Sequence, residues 1–303
     1  RSKDFQEHFT VTHFFNPPRY LKLFEVVPGP SCKPEVVDFL MDYGTRFLGK
    51  SAVLAKDTPA FIGNRIGIFS IMSLFHTVKQ MGLTIEEVDK LSGPVIGRPK
   101  SATFRTVDLV GLDTLVHVAN GIRENCPGDE RLELFELPDF IGTMMDNKWL
   151  GSKTGQGFYK KTKDSKGKTE ILSLDLNTLE YRAAQKGKFA TLELTKSIDN
   201  VADRFKVLVN GKDKAGTFYR KTLAALFGYI THRIPEIADE LYKIDDAMKA
   251  GFGWQHGPFQ IWDAIGLEAG IEIMKTEGQQ PALWIEEMQE AGCTSFYSVK
   301  QGA

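Results

Sequence analysis

The sequence has few cysteines, no charge excess and no long apolar run, and each absence excludes a class of protein. Cys32, Cys126 and Cys293 are the only cysteines among 303 residues. Three distant thiols predict neither a disulfide framework nor a zinc site, and they are typical of a reduced, cytoplasmic protein. The 38 basic and 39 acidic residues leave a formal net charge of −1, which argues against a nucleic-acid or membrane-surface binder. No apolar stretch reaches the ~18 residues that a membrane span needs.

The beginning of the chain also lacks two expected features. There is no initiator methionine, since residue 1 is arginine, and no signal-peptide pattern. A strand-like pattern begins almost at once, near residue 9. We therefore expect that the natural protein extends upstream and that this chain is a fragment of it.

What the sequence does contain is a short stretch, HFFNPPRYLKLFE (13–25), bracketed by two titratable residues. Its pattern predicts strands over 9–15 and 20–27, joined by a turn at two prolines that cannot donate ladder hydrogen bonds. A hairpin centred on Arg19 would place His13 opposite Glu25, with their Cβ atoms ~5 Å apart. The carboxylate could then hold one imidazole nitrogen and leave the other as a base. The alternative is a half-buried histidine beside a solvated glutamate, and periodicity alone does not decide between them.

The rest of the chain is predicted to be mainly helical. Helices are expected over 34–49, over 58–82 from the Thr-Pro start signal, and near 84–92, 104–124 and 138–148, with a strand at 51–57. The lysine-rich segment 161–168 is interpreted either as a flexible linker or as a solvated hairpin tip. Helical patterns resume near residue 191 and continue towards the end.

Two parts of the chain are related by an internal repeat. The segment VDKLSGPVIGRPKSATFRTVDLVGLD (88–113) matches IDDAMKAGFGWQHGPFQIWDAIGLE (244–268) with one gap. Arg65 precedes Asp108 by 43 residues, and Arg220 precedes Asp263 by the same 43. Matched intervals predict two related helical units, the second beginning near 190. The alternative is two unrelated bundles with similar loops.

Four motifs together resemble the 3-hydroxyacyl-CoA dehydrogenase family. They are HFFNP with the later Glu25, AKDTPAFIGNR (55–65), GRPKSATFRTVDLVGLDT (97–114) and GSKTGQGFYKK (151–161). The similarity is greatest to bacterial fatty-acid β-oxidation enzymes that have two helical domains and are often fused to an enoyl-CoA hydratase. It covers essentially the whole chain, and its motifs occur in order.

This resemblance implies a mainly α fold with two repeated helical domains like the C-terminal domain of 6-phosphogluconate dehydrogenase, preceded by a short β-hairpin remnant of a Rossmann domain. The implied boundaries are the end of the NAD-binding domain at 1–57, a first helical domain at 58–160, a linker at 161–189 and a second, degenerate repeat at 190–303.

The resemblance also implies roles for five residues. His13 is the catalytic base that takes the proton of the 3-hydroxyl of an acyl-CoA while a hydride passes to NAD, and Glu25 orients it. Asn64 is a third catalytic residue, near the substrate carbonyl. Asn16 and Lys153 are cofactor-binding residues, and no metal is implied. Asn64 could instead be a capping or core amide, and Lys153 could be a solvated residue before a glycine-rich turn.

Departures from the family pattern limit these expectations. The chain has no G-x-G-x-x-G phosphate turn, so we expect most of the NAD site to be missing and the fragment to be nearly inactive. The second repeat has Tyr219 in place of Asn64 and no HFFNP motif, so it should be catalytically silent. It could instead pack on the first repeat, in the place that a second chain takes in single-repeat relatives.

Two other functions remain open on the sequence. One is a non-catalytic helical module for assembly or dimerisation within a β-oxidation multienzyme. The other is a related reductase that acts on a different 3-hydroxy acid. Replacing His13 separates catalysis from a scaffold role, and the range of substrates accepted separates the two enzymes.

Overall fold

The computed structural model describes residues 1–164 and 166–298 of the chain, which form two compact units. Unit 1 comprises Arg1–Gly67 with the described residues from Ala224 onward, and unit 2 comprises Ile68–Leu223. The strands are β1 Thr10–Phe14, β2 Leu23–Pro28, β3 Ser51–Leu54, β4 Tyr159–Lys163, β5 Thr169–Leu174 and β6 Tyr181–Ala183. The helices are α1 Lys3–Glu7, α2 Pro34–Arg46, α3 Gly63–Met81, α4 Ile85–Leu91, α5 Phe104–Val110, α6 Leu112–Asn125, α7 Asp139–Asp146, α8 Ala190–Leu194, α9 Val201–Val209, α10 Lys214–His232, α11 Leu241–Phe252, α12 Pro258–Ile265, α13 Leu267–Thr276 and α14 Leu283–Glu290.

The described chain is therefore mainly helical, as predicted. Among the described residues, none of the helices has the length and apolar character that crossing a membrane would require. The boundaries of the domains implied by the family resemblance stay a prediction.

The sheet of unit 1 has the strand order β1-β2-β3. Strands β1 and β2 are antiparallel, and their register places His13 opposite Glu25. Strand β3 joins β2 in parallel after the crossover through α2. The predicted hairpin and its register are thus confirmed, because every pair of the ladder is equidistant from Arg19.

Helices of unit 1 pack closely on this sheet at glycines. A Cβ atom on Gly44 of α2 would lie 2.6 Å from the ring of Phe24, and one on Gly251 of α11 would lie 2.8 Å from Leu23. Helix α3 begins at Gly63 rather than at the predicted residue 58. The reason is local: Ala60 and Phe61 have φ values of 66° and 49°, which a right-handed helix does not contain. The segment before α3 is therefore a turn.

In unit 2, two predictions change. The predicted helix 104–124 is divided into α5 and α6 by Gly111, whose φ of 105° interrupts the helix. The segment predicted as a linker or hairpin tip contributes strands β4, β5 and β6, which form an antiparallel sheet. Arg182 of β6 binds both carboxylate oxygens of Glu86 on α4, so the sheet is attached to a helix. The hairpin alternative is the one that the structure contains.

Unit 2 holds a buried carboxylate cluster made of Asp89, Asp108 and the tyrosine hydroxyl of Tyr159. Asp108 accepts the backbone N–H groups of Phe158 and Tyr159, each at 2.8 Å. Asp89 accepts the Tyr159 hydroxyl at 2.7 Å and the N–H group of Phe104 at the start of α5, also at 2.7 Å. Burial raises the pKa of both carboxyls to about 6. The cluster joins the strand β4 to the helix α5.

Unit 1 holds a cluster of the same construction. Asp263 accepts the backbone N–H groups of Phe296 and Tyr297 at 2.8 and 3.0 Å. Asp245 accepts the Tyr297 hydroxyl at 2.8 Å and the N–H group of Phe259 at 2.8 Å. Burial raises the pKa of Asp245 to about 6 and also raises the pKa of Asp263. Phe259 lies in the first turn of α12, as Phe104 does in α5.

Candidate active site

The pairing of β1 with β2 brings an imidazole and a carboxylate into direct contact. His13 Nδ1 donates to Glu25 Oε2 across 2.6 Å. The Glu25 side chain has no exposed surface, whereas 31% of the His13 side chain is exposed. A carboxylate only accepts hydrogen bonds, so Nδ1 carries the proton of this bond and the neutral ring leaves Nε2 as the acceptor. The pair therefore has the orientation of a base held by a carboxylate.

The second oxygen of Glu25 is held by the beginning of helix α3. Glu25 Oε1 accepts the backbone N–H groups of Ile62 and Gly63 at 3.0 and 2.9 Å. The first N–H groups of a helix have no partner within the helix and favour a negative charge. Glu25 thus satisfies these donors while they fix its position, and the carboxylate cannot turn away from His13.

Aromatic rings enclose the imidazole on its other sides. The His13 ring lies 5.4 Å from the ring of Phe15 and 5.6 Å from that of Phe61, measured between centroids. Phe15 in turn packs on Phe252 of α11 at 5.5 Å. Within the described residues, His13 Nε2 has no hydrogen-bond partner. Packing therefore holds the ring, and Nε2 stays unengaged within the described chain.

The two predicted asparagines lie in unit 1. Asn64 is half-buried and follows Gly63 directly in the first turn of α3. Asn16 is exposed and lies in the turn between β1 and β2. In the part of the chain that the structure describes, neither side chain forms a hydrogen bond to another residue. The Asn64 side chain therefore does not cap a helix, and the amides of Asn16 and Asn64 are both unengaged within the described chain.

Lys153 lies in unit 2, in the turn Ser152–Thr154. Its ammonium group donates to both carboxylate oxygens of Asp113, at 2.5 and 2.7 Å. Hydrogen bonds from Lys153 lower the pKa of Asp113. The side chain is therefore neither simply solvated nor unpaired, and its cofactor role stays a prediction.

Sequence reasoning missed the backbone groups that support this site. The amides of Ile62 and Gly63 carry no side-chain signal, although a glycine at a helix start indicates close approach of another group. Lys50 was missed too: its ammonium donates to the carbonyls of Pro18 and Leu21 and so ties down the turn that carries Asn16. Among the residues described, no group of three or more potential ligands could hold a metal ion.

Comparison with known proteins places this geometry in a family. The family model described as 3-hydroxyacyl-CoA dehydrogenase, C-terminal domain, matches residues 61–161 and 216–300. The model described as 3-hydroxyacyl-CoA dehydrogenase, NAD binding domain, matches residues 2–58. The hairpin with His13 and Glu25 thus falls within the match to the NAD-binding domain, so part of that domain is present in the chain.

Individual relatives agree with the family models. A Bacillus subtilis protein named probable 3-hydroxyacyl-CoA dehydrogenase is 44% identical over 302 residues, which is 100% of this chain and 38% of that protein. A Rickettsia prowazekii protein named putative fatty acid oxidation complex trifunctional enzyme is 27% identical over 84% of this chain and 34% of its own length. The chain thus spans well under half the length of these relatives.

A solved structure shows the same fold. The crystal structure of Escherichia coli 3-hydroxybutyryl-CoA dehydrogenase matches 94% of this chain and 71% of its own, with a TM-score of 0.65 and 20% identity. At that identity the match concerns the fold alone. The family models, which together cover most of the sequence, show that this chain belongs to the 3-hydroxyacyl-CoA dehydrogenase family.

Proposed function

We propose that the protein containing this chain oxidises (S)-3-hydroxyacyl-CoA to 3-oxoacyl-CoA with NAD in fatty-acid β-oxidation. The observation that carries the proposal is the 2.6 Å hydrogen bond from His13 to the fully buried Glu25. The family and the name of the Bacillus relative support the reaction type. The name of the Rickettsia relative supports the context of fatty-acid oxidation.

In the proposed reaction, bound NAD supplies the acceptor for the hydride that leaves C3 of the substrate. His13 Nε2 takes the proton of the 3-hydroxyl, and the C–O bond becomes a carbonyl. Glu25 keeps the imidazole in one tautomer and stabilises the imidazolium that forms. The amide of Asn64 donates to the developing carbonyl oxygen, which needs a donor in a site from which water is excluded.

For the cofactor, the proposal assigns Asn16 and leaves Lys153 as a second candidate. The unengaged amide of Asn16 lies in the segment matched by the NAD-binding model, which fits a cofactor contact. Lys153 would have to exchange its ion pair with Asp113 for a cofactor oxygen. Because the 303 residues contain no G-x-G-x-x-G motif, we also propose that they bind NAD weakly and turn over little by themselves. Robust acetoacetyl-CoA-dependent NADH oxidation by this chain alone would contradict that part.

The decisive test is His13→Gln in the full-length protein. We expect kcat to fall by about 10²–10⁴, the usual contribution of a general base, while the fold is retained by circular dichroism. His76→Gln is the matched control, since His76 is also half-buried and its ring bonds a single backbone carbonyl, that of Glu136. If His13→Gln retains full activity, the alternative of a non-catalytic assembly module is favoured instead.

The substrate and the partner are finer parts of the proposal. Profiling acyl-CoA substrates of increasing chain length would separate a general 3-hydroxyacyl-CoA enzyme from one restricted to short 3-hydroxy acids. A fused or associated enoyl-CoA hydratase is supported by the trifunctional name of the Rickettsia relative. In that case the purified full-length protein should form NADH from crotonyl-CoA without added hydratase, and a lack of NADH would contradict the association.

We further propose that the helical region consists of two repeated domains, over 58–160 and 190–303, of the kind found at the C-terminus of 6-phosphogluconate dehydrogenase. Three observations support this. The C-terminal-domain model matches two separate ranges, the helices α3 and α10 each have 19 residues, and both repeats contain the carboxylate cluster described above. The second repeat would take the place of a partner chain, so a stable dimer built through these same helices in sedimentation would contradict that role.

A further inference from the structure

The first turn of helix α3 supplies several parts of the proposed site. The amides of Ile62 and Gly63 hold Glu25, and Asn64 presents its side chain one residue later. Small movements of this turn would therefore displace both the carboxylate that orients His13 and the amide proposed to meet the substrate. What fixes the turn is the next residue, Arg65.

Arg65 is an arginine with no exposed surface. Its Nε donates to the hydroxyl of Tyr229 at 2.6 Å, and its Nη2 lies 3.1 Å from Oε1 of Glu236. Its backbone N–H donates to the carbonyl of Ala60, in the turn before the helix. A buried guanidinium is stable only where its donors find fixed acceptors, because removal from water costs several kcal/mol. The side chain therefore holds the turn in place.

The acceptors of Arg65 are themselves fixed by a second buried arginine. Arg233 is 3% exposed, and its Nη1 lies 2.8 Å from the other oxygen of Glu236. Its guanidinium also lies over the ring of Tyr229, 4.6 Å from the centroid. Tyr229 is fully buried, so neither its ring nor its hydroxyl can turn towards water. The Glu236 carboxylate thus joins the two arginines into one network.

We propose that Arg65, Tyr229 and Glu236 are positioning residues for the dehydrogenase site. They act through the first turn of α3 on Glu25, and through Glu25 on His13, without touching substrate. This inference rests on the proposed function. It assigns a role to the segment 229–236, which belongs to the repeat expected to be catalytically silent: that segment supports the imidazole from more than two hundred positions away in sequence.

The test compares two buried tyrosines that differ in what their hydroxyl groups bind. Tyr229→Phe removes the acceptor of Arg65, whereas Tyr219→Phe removes a hydroxyl that donates to the carbonyl of Leu91 at 2.7 Å. The two side chains are 0% and 1% exposed, so both variants lose one hydroxyl from an equally buried ring. Only the first variant affects the turn before Asn64.

The first readout uses this chain and needs no activity. We expect Tyr229→Phe to accelerate amide hydrogen exchange at Ile62 and Gly63 by about tenfold, the factor that corresponds to ~1.4 kcal/mol of lost local stability. The low-field proton resonance of His13 Nδ1–H should also shift or broaden. Tyr219→Phe should leave both signals unchanged. Equal exchange and equal resonances in the two variants would overturn the proposal.

The second readout uses the full-length protein. Tyr229→Phe should lower kcat about tenfold with little change in the KM for acyl-CoA, because misplacement of a catalytic group affects the transition state more than binding. Tyr219→Phe should retain kcat, and an equal loss in both variants would count against the inference. If Tyr229→Phe does not fold, Glu236→Gln gives the same test at a side chain that is 37% exposed. Arg65→Lys should give a lower kcat than the native arginine.

The two hypotheses fail differently. If His13→Gln leaves turnover intact, the proposed dehydrogenase function fails, yet hydrogen exchange still reports whether Tyr229 fixes the turn. If His13→Gln abolishes turnover while Tyr229→Phe behaves like Tyr219→Phe, the function stands and the positioning role is wrong.

Discussion

The carboxylate clusters of the two units are built alike, whereas the groups proposed for catalysis occur in one unit only. Asp108 and Asp263 each accept two consecutive backbone N–H groups of a Phe-Tyr pair. The tyrosine of each pair then binds a second aspartate. The His13 and Glu25 hairpin has no counterpart in the second repeat of the sequence. The comparison teaches that the two units share the contacts that hold their helices together, whereas the groups proposed for catalysis lie in unit 1 alone.

The position of Asn64 differs between the two proposed repeats. There the sequence has Tyr219, whose hydroxyl donates to the carbonyl of Leu91 and is buried in unit 2. In the proposed alignment of the repeats, the half-buried Asn64 thus corresponds to a tyrosine that satisfies a backbone group. Three comparisons between the clusters, and one titration of a clustered aspartate, test how far their likeness extends.

The largest effect is expected from removing the clamping aspartates. Asp108→Ala leaves the N–H groups of Phe158 and Tyr159 without their acceptor, at about 1–3 kcal/mol for each buried group. We expect a loss of ~3–5 kcal/mol in the free energy of unfolding. Asp263→Ala should cost less, because Asp263 is half-exposed and water can replace it, whereas Asp108 is 2% exposed. Urea denaturation measures both, and a larger loss for Asp263→Ala would show that the clusters are not equivalent.

The glycines that follow Asp108 and Asp263 in sequence allow backbone strain to be distinguished from steric collision. Gly111 and Gly266 have φ values of 105° and 109°, so alanine is strained at both, by about 1–2 kcal/mol. A Cβ on Gly111 would also lie 2.8 Å from Asp113 and 2.9 Å from the Lys153 ammonium, whereas one on Gly266 meets nothing within 4 Å. Thermal unfolding should therefore show a larger loss for Gly111→Ala. Equal melting temperatures would mean that the ion pair moves aside freely.

The tyrosine hydroxyls should give nearly equal, smaller effects. Tyr159→Phe removes a 2.7 Å hydrogen bond to the half-buried Asp89, and Tyr297→Phe removes a 2.8 Å bond to the buried Asp245. We expect about 1 kcal/mol from each in urea denaturation, the usual net value of such a bond. If the two losses in unfolding free energy differ by more than twofold, the tyrosines do not contribute equally to their clusters.

A further effect is expected on the pH dependence of stability. The pKa of Asp108 is raised by burial to about 6, above the ~3.9 of an unfolded aspartate. The folded chain then binds the extra proton between these values, so this group's contribution is fully present below ~3.9 and is lost as the pH rises through 6. Between pH 7 and 5, the unfolding free energy of Asp108→Asn should therefore change with pH without the contribution of Asp108. Asp113→Asn is the control: Lys153 lowers the pKa of Asp113, so its contribution is present above ~3.9 and the slope between pH 7 and 5 should not change.

The sequence predicted the hairpin well and the helix boundaries less well, for physical reasons. The register of His13 with Glu25 follows from a period of two and a central turn, which are both visible in the residues. The start of α3 depends on Ala60 and Phe61 adopting positive φ, which no propensity indicates for these residue types. The break at Gly111 was missed because it lies within a continuous helical pattern, although glycine does adopt positive φ readily.

Two further features could not be predicted because they depend on contacts distant in sequence. Strand β4 is rich in lysine and exposes part of its side chains to solvent, so the composition resembled that of a linker. The contact of Arg65 with Tyr229 joins residues 164 positions apart. No local pattern shows that an arginine beside Asn64 is completely buried, and only the fold reveals its partner.

The complete burial of Glu25 has a consequence for how His13 loses its proton. Since the carboxylate has no exposed surface, no water molecule can relieve the imidazole of a proton along that side. In the proposed oxidation, a proton captured at Nε2 has to depart through the same edge of the ring at which it arrived. His13 would then lose its proton only after the oxidised acyl group has moved away. Deprotonation of His13 would thus depend on the order of product release.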